Sequence, residues 1–487
     1  MVLTNIGIVV RHARAPPTAF STARYAARFL HKSSQTSSSR LVNADHHHHA
    51  AAAASKAAES SAVTNEVKLL PNTERPQFLR DLSPMDLTCF SLLSVMTAPS
   101  ILKWSIKIMP FVPNFLVKTF VYPIYCGGET WKELQGTARK LLDRGISNMM
   151  ISYSVEDAEG TKGSIMDQAV PQIMGSVDQV LVPHYEKAER LFKEGVVSAA
   201  PASGYVAIKP TGLMSEAGDI LKNYNNPAYA EKWQAYLDVC RTICRHAQTH
   251  GNGKVVITFD AEKKHLQEGV YEAQRVMMRE FNRDGKVIVI GTIQMYLQDS
   301  VAQLKKEMEL AEKDNYQVGM KLVRGAYIHS EPDRWNTIHR TKEASDESYN
   351  TGASMMMDSI VEGWKTPGKG PIDGVRPVVG RLVVATHNEE SCAMIDQRIR
   401  NEAPLSLDLD ADESVVFGQL MGMADDQSSE LARRGRKVIK YVPWGPAKET
   451  KDYLVRRLEE NGDAVREGGW KYARYGVAEA FRRLFRF

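Results

Sequence analysis

From residue 149 onward, short β-branched runs alternate with longer stretches of helical periodicity. The runs are 149–154, 205–209, 254–260, 286–294, 318–324, 381–387, 414–420 and 438–441. Most are rich in Val and Ile without a polar position at every second residue, the pattern of strands buried on both faces. Helical stretches such as Asn225–His250 and Leu266–Asn282 lie between them. Eight such strands with seven helical regions between them predict an α/β fold of the (βα)8 TIM-barrel type. A doubly wound sheet is the alternative. It normally carries a glycine-rich phosphate loop after its first strand, and neither G-x-G-x-x-G nor G-x-x-x-x-G-K-[ST] occurs in this chain.

The flanks read differently. Residues 1–40 contain Arg11, Arg14, Arg24, Arg28, Lys32 and Arg40 but no acid. A helix from Thr18 to Lys32 would align Arg24, Arg28 and Lys32 on one face, with Phe20, Phe29 and Leu30 elsewhere, the character of a mitochondrial presequence. A plain polar tail is the other reading. Residues 41–66, with His46–His49 followed by Ala50–Ala54, are a low-complexity linker. The expected order is then an N-terminal helical region at 67–148, a barrel at 149–475 and a basic amphipathic tail at 476–487.

Two segments raise the question of a membrane. Leu92–Tyr125 is the most apolar stretch, but Lys103, Lys107, Lys118, Pro99, Pro110, Pro113 and Pro123 interrupt it. No unbroken run long enough to span remains, so helices packed on a domain are expected, with membrane contact the alternative. In the tail, Val477, Phe481, Leu484 and Phe485 form an i, i+4, i+7, i+8 stripe beside Arg474, Arg482, Arg483 and Arg486. Such a helix can lie on an anionic membrane or pack on its own domain.

Composition adds three limits. Hydrophobic residues at 43% and charged residues at 25% allow a sizeable core. Net charge is +4, but without the six basic residues of the leader 62 − 6 = 56 basic residues face 58 acidic ones. The body is thus slightly acidic and gives no reason to expect nucleic-acid binding. Five cysteines without a C-x-x-C pair indicate reduced thiols rather than a disulfide framework or zinc site.

The chemistry sits at the strand ends. Lys209 ends the second run, Asp260 and then Glu262 the third, and Gln294 the fourth. Lys321 and Arg324 belong to the fifth, Thr386, His387 and Asn388 to the sixth, and Tyr441 to the eighth. In a parallel barrel these ends share one face, where active sites lie. Further on, Tyr453, Arg456, Arg457 and Glu460 fall on one helical face. Two adjacent guanidinium groups can fork around a carboxylate or phosphate, although Arg456 and Glu460 could equally form an ordinary i,i+4 surface pair.

Several of these segments together resemble the proline dehydrogenase family: KLVRGAYIHSE (321–331), ATHN (385–388), FGQLMGMAD (417–425), KYVPWG (440–445) and YLVRRLEENGD (453–463). VAIKPTGL (206–213) and FDAEK (259–263) add to the likeness, which spans roughly residues 85–475, a length that suits one barrel. With the leader, the chain resembles the mitochondrial, fungal-like, single-function type.

The resemblance implies a distorted (βα)8 barrel holding FAD noncovalently and oxidising L-proline to Δ1-pyrroline-5-carboxylate by hydride transfer from C5 to flavin N5. It further implies ubiquinone as electron acceptor and a place on the matrix side of the mitochondrial inner membrane. Arg456 and Arg457 would clamp the substrate carboxylate with Lys209, Asp260 would orient Lys209, and Glu460 would hold one arginine. Tyr441 would pack on the substrate ring and disfavour hydroxyproline, the alternative substrate on this fold. Tyr453 begins the same motif. For FAD, Gln294, Lys321, Arg324 and the 323–326 backbone (Val323, Arg324, Gly325, Ala326) would line the flavin ring and its linker, and Thr386, His387 and Asn388 the linker and pyrophosphate.

There are departures. Bacterial members carry Arg where this chain has Lys321, and Lys where it has Arg324. Residues 364–380 form a Gly/Pro-rich insertion. Asp408, Asp410 and Asp412 resemble the start of a calcium loop, but Glu413 and Gln419 stand where Gly and Glu are needed, so no metal is expected there. A metal-dependent lyase or hydrolase using Asp260, Glu262 and His387 is a rival reading that the surrounding cations oppose. A noncatalytic membrane scaffold is another, and it leaves the polar strand ends without a purpose.

Overall fold

The eight β-branched runs form eight strands because each can bury both of its faces. In a computed structural model these are β1 (Asn148–Tyr153), β2 (Gly204–Ile208), β3 (Val255–Phe259), β4 (Val289–Gln294), β5 (Val318–Val323), β6 (Val379–Ala385), β7 (Val415–Leu420) and β8 (Val438–Trp444). The structure describes residues 77–96, 99–154, 163–197, 200–328, 331–365, 377–447, 450, 453–454 and 469–485. All strands pair in parallel in sequence order, and β8 closes on β1 from Asn148↔Ile439 to Tyr153↔Trp444. The expected TIM-type barrel is therefore present.

Alternation along the strands divides the core in two. Met150, Tyr205, Ala207, Val256, Ile290, Val383, Val416 and Ile439 meet inside the barrel. Their neighbours, such as Ile151, Val206, Ile257, Phe417 and Val442, pack outward into the larger core shared with the helices. β8 outruns its expected end at Tyr441. Pro443 looks like a stop, but the pairing with β1 continues through it.

Among the described residues the helices of eight or more residues are α1 (Pro84–Met96), α2 (Pro99–Ile108), α3 (Trp131–Asp143), α4 (Gly163–Ser176), α5 (Val182–Lys193), α6 (Ala230–His250), α7 (Lys264–Phe281), α8 (Ser300–Asp314), α9 (Lys342–Lys365), α10 (Glu389–Glu402), α11 (Asp425–Arg433) and α12 (Gly469–Phe485). Two expected boundaries move. α3 belongs to the barrel rather than to a separate N-terminal region, since Leu134, Ala138 and Leu141 enter the same core as β1 and β8. The last helix starts at Gly469, well before the expected tail at 476.

α1, α2 and the turns after them form a helical cap. Cys89, Leu93, Met109, Val117, Val121, Tyr122 and Tyr125 cluster with Met423, Ala447 and Leu454, which follow β7 and β8. The Tyr122 hydroxyl donates to the Gly445 carbonyl at 3.1 Å, and Gly127 N–H donates to the Pro443 carbonyl at 2.8 Å. α12 packs on the cap: Arg483 donates to the carbonyls of Leu79 and Leu82, each at 2.7 Å, and Tyr475 and Ala480 lie against Phe78 and Leu87. Of the two readings of the tail, this geometry matches packing on its own domain. The leader and linker (1–66) and the middle of the insertion (366–376) lie outside the described residues.

The N-terminal end of the barrel is sealed by a polar knot. Arg381 donates to Tyr205 Oη and Glu413 Oε2, both at 2.8 Å, and Glu413 also accepts from the N–H and hydroxyl of Ser203. Burial opposes ionisation of Glu413, but the Arg381 guanidinium holds its carboxyl below the usual range. Arg381→Met leaves a buried carboxylate without its cation, a loss of about 3–5 kcal/mol. Urea denaturation should show a lower midpoint, and an unmoved midpoint would remove this knot from the stability of the fold.

Candidate active site

At the opposite, C-terminal end of the strands, one carboxylate gathers three side chains. Asp260 follows β3 directly and is 4% exposed. Lys321, pointing inward from β5, pairs with its Oδ1. Lys209, just past β2, lies 3.2 Å from its Oδ2, and the Tyr441 hydroxyl of β8 donates to the same oxygen at 2.7 Å. The Lys321 ammonium also stands 5.4 Å from the centre of the Tyr441 ring, a cation–π contact. Four strands thus contribute to one buried hub.

The electrostatics follow from burial against pairing. Burial opposes a charged Asp260, but the ammonium groups of Lys321 and Lys209 outweigh it and hold the carboxyl at about 2. Burial pushes the Lys321 ammonium down, against the pull of Asp260. Burial and the Asp260 charge together push the Tyr441 phenol far up, so it remains a donor. With both lysines protonated the group carries one net positive charge, which suits an anionic substrate.

A second cluster occupies the neighbouring wall, at the ends of β5 and β6. Arg324 follows β5. Its guanidinium reaches Asp346 Oδ1 at 2.6 Å and Thr386 Oγ1 at 3.1 Å, and lies 4.7 Å from the centre of the Tyr349 ring. Asn388 caps α10 by accepting from Ser391 N–H at 2.8 Å. His387 Nε2 accepts the Leu420 N–H at 3.2 Å, which places no proton on that nitrogen. Gly325 has φ +91°, a conformation that favours glycine, and the nearest atom to an added Cβ would be Ile328 Cδ1 at 3.7 Å. Val323 is half-buried and Ala326 exposed beside it.

Gln294 is 1% exposed and held from within. Its amide donates to the Glu262 carbonyl at 2.9 Å and to Gln267 Oε1 at 3.3 Å, and its oxygen accepts from Tyr296. Both donor hydrogens are therefore used inside the protein. Glu262 accepts from the Thr211 hydroxyl at 2.8 Å. Together with the lysines on Asp260, this leaves no carboxylate/His cluster for a metal at the strand ends among the described residues. A group with ligand spacing, Asp178, His246 and His250, lies instead on the outer helices, where His246 pairs with Asp178 at 3.0 Å.

Tyr453 is half-buried and packs on the cap cluster beside Leu454, while Arg456, Arg457 and Glu460 lie outside the described residues. Sequence reasoning missed Asp346, Tyr349 and Asn350, the supports of Arg324 and Ser391. Their i, i+3, i+4 spacing on α9 was a readable signal of a shared face, but not of its partners.

The depressed carboxyl of Asp260 predicts a pH effect. Its ordinary value is 3.8 and here it is about 2. Its stabilisation is complete above the unfolded value and is lost as pH falls from about 5 to 2, an amount of about 2 kcal/mol. In Asp260→Asn, stability should therefore fall less steeply over that range. An equally steep acid limb in the variant would refute the pairing.

Comparison with known proteins accords with this geometry. The sequence model of the family described as Proline dehydrogenase matches residues 135–467. The carbapenem antibiotics biosynthesis protein CarD of Pectobacterium carotovorum subsp. carotovorum is 32% identical over 72% of this chain and 82% of its own length. The protein named proline dehydrogenase 1, mitochondrial, of Dictyostelium discoideum is 26% identical over 76% of this chain and 66% of its own. Proline utilization A (PutA) from Bdellovibrio bacteriovorus, in a crystal structure of the protein inactivated by N-propargylglycine, superposes with a TM-score of 0.57 at 19% identity. That likeness is one of fold, and covers 79% of this chain and 40% of the bacterial one. The family match over residues 135–467 takes in every strand and both polar clusters, and the chain belongs to the proline dehydrogenase family.

Proposed function

We propose that this chain oxidises L-proline to Δ1-pyrroline-5-carboxylate with FAD as cofactor and ubiquinone as final acceptor, in mitochondria on the matrix side of the inner membrane. The observation that carries the reading is the Asp260 hub: two ammonium groups on one carboxylate at the catalytic end of a barrel of this family. The acid-free leader and the mitochondrial name of the Dictyostelium relative support the location.

The residues present fit FAD. Lys321 and Arg324 supply cations, Thr386 and Asn388 supply neutral hydrogen-bonding groups, and the open space at Gly325 leaves room for close backbone approach. Gln294, with both donor hydrogens engaged, would offer its oxygen and its packing face rather than a new donor. When bound, FAD supplies the acceptor for the hydride that leaves C5 of proline.

The protein's own part is binding and orientation. Lys209 attracts the substrate carboxylate, and Arg456 and Arg457 clamp it, with Glu460 holding one of them. Asp260 fixes Lys209 and Lys321 and is too acidic to take a proton near neutral pH. Tyr441, pinned through its hydroxyl and by the cation beside its ring, presents a fixed wall. A fixed aromatic wall supports proline over hydroxyproline, since a 4-hydroxyl would need space that the ring holds.

An anaerobic titration with L-proline tests the whole reading. A flavin band near about 450 nm should bleach with proline and not with equal hydroxyproline. A folded protein without flavin, or one bleached only by another amine, would overturn it. Arg456→Met should raise the proline KM by the loss of a charge-assisted contact, about 2–4 kcal/mol, while FAD stays bound. Steady-state kinetics with an unchanged KM would take Arg456 out of the site.

A further inference from the structure

The cap has two faces of opposite character. Inward, Leu93, Ser105, Met109, Val117 and Val121 are buried. Outward, Trp104 is 68% exposed, Ile108 53%, Phe111 85% and Phe115 67%. Trp104 and Ile108 stand at i and i+4 on one side of α2, and Phe111 and Phe115 are exposed on the two short turns that follow it, either side of the extended residues Val112 and Pro113. Contiguous large apolar groups on an outer face call for a partner, whereas scattered ones do not.

The charges beside the stripe narrow that partner. Lys103 and Lys107 are exposed on the same helix, and no Asp or Glu occurs between Asp86 and Glu129. Lys118 is paired with Glu129 at 2.5 Å and contributes less. A second copy of the chain meeting this face across a two-fold axis would set lysines against lysines. An anionic lipid surface takes both features: Trp and Phe enter the headgroup boundary while lysine ammonium groups reach out to phosphates. The geometry fits lying on a bilayer rather than crossing it. No single described helix is long and apolar enough to span, and the apolar pair Pro84–Met96 and Ile101–Ile108 is bent by 108°.

We propose that Trp104, Ile108, Phe111 and Phe115, with Lys103 and Lys107, form a docking surface for an anionic lipid bilayer, a proposal that rests on the membrane location given above. The cap packs on the segments after β7 and β8, at the same end of the barrel as the Asp260 hub. Docking through it brings the catalytic end of the barrel to the bilayer, where an apolar quinone is dissolved.

The test uses the full-length flavin-loaded protein and vesicles of phosphatidylcholine with or without phosphatidylglycerol. Wild type should sediment with the anionic vesicles. Phe111→Ser/Phe115→Ser should weaken that binding about tenfold or more. Lys103→Glu/Lys107→Glu should remove the preference for anionic lipid. Both variants should retain proline oxidation with a soluble dye, because these residues lie outside the strand-end clusters. Wild type left in the supernatant, or both variants binding as wild type does, overturns the proposal. A wild-type dimer that the Phe variant converts to monomer assigns the face to a second copy and overturns it too. Vesicle binding without any proline oxidation leaves the docking surface standing and refutes the enzymatic reading instead.

Discussion

Asp260 is removed from water, and a carboxylate so placed stays charged only if cations come to it. Lys209 and Lys321 do, and Tyr441 adds a neutral donor. These groups belong to β2, β5 and β8, which are far apart in sequence and meet only because the sheet closes. An open sheet of the same strands would separate β8 from β1 and carry Tyr441 away from the hub. Closure is therefore a condition of the site as well as of the fold. The converse also holds. Lys321 enters the barrel interior near Met150, with its Nζ 3.9 Å from the sulfur, and is tolerable there only while Asp260 is ionised.

The two polar clusters are built differently. The hub is buried and its members are paired with one another, so its charge pattern is set before any ligand arrives. Around Arg324 the contacts run outward to helix side chains, to Asp346 of α9 and Ser391 of α10, and Asp346 also meets the exposed Lys342 at 2.5 Å. A guanidinium held by partly exposed groups can be re-paired at lower cost than an ammonium held by a buried carboxylate. That contrast suits the division proposed here, with a fixed cationic pocket for a small substrate and a more adaptable wall for a large cofactor.

How much was readable from the sequence depended on range. The strands were legible because a β-branched run buried on both faces is a local pattern, and their polar ends were legible because a parallel barrel sends them all one way. The pairing of Lys209 with Asp260 came from the resemblance. The second lysine on the same carboxylate did not, since spacing alone gives no contact between residues 61 positions apart. Gln294 looked available as a strand-end amide, and only the Glu262 carbonyl and Gln267 Oε1 folding back on it show that its donors are taken. At the chain's end the stripe that includes Val477 and Phe481 left open whether it would meet a membrane or its own domain. The helix packs through Tyr475, Ala480 and Arg483, because the carbonyls at the start of the cap need donors and a guanidinium can satisfy two at once. Val477 and Phe481 are left 47% and 57% exposed.

The barrel's two ends then share the work unequally. The N-terminal end carries Arg381, Tyr205, Glu413 and Ser203, hydrogen-bonded to one another. Such a knot secures closure. The C-terminal end holds the Asp260 hub with its two lysines, and it also bears the cap. These two loads are compatible because the cap touches the β7 and β8 side, through Met423, Gly445 and Ala447, while the Arg324 cluster lies at β5 and β6. A cap seated over β5 and β6 would compete with the proposed cofactor for Arg324 and Thr386. Seated where it is, its buried face stabilises the loops behind Tyr441, and its apolar outer face remains free to meet a partner.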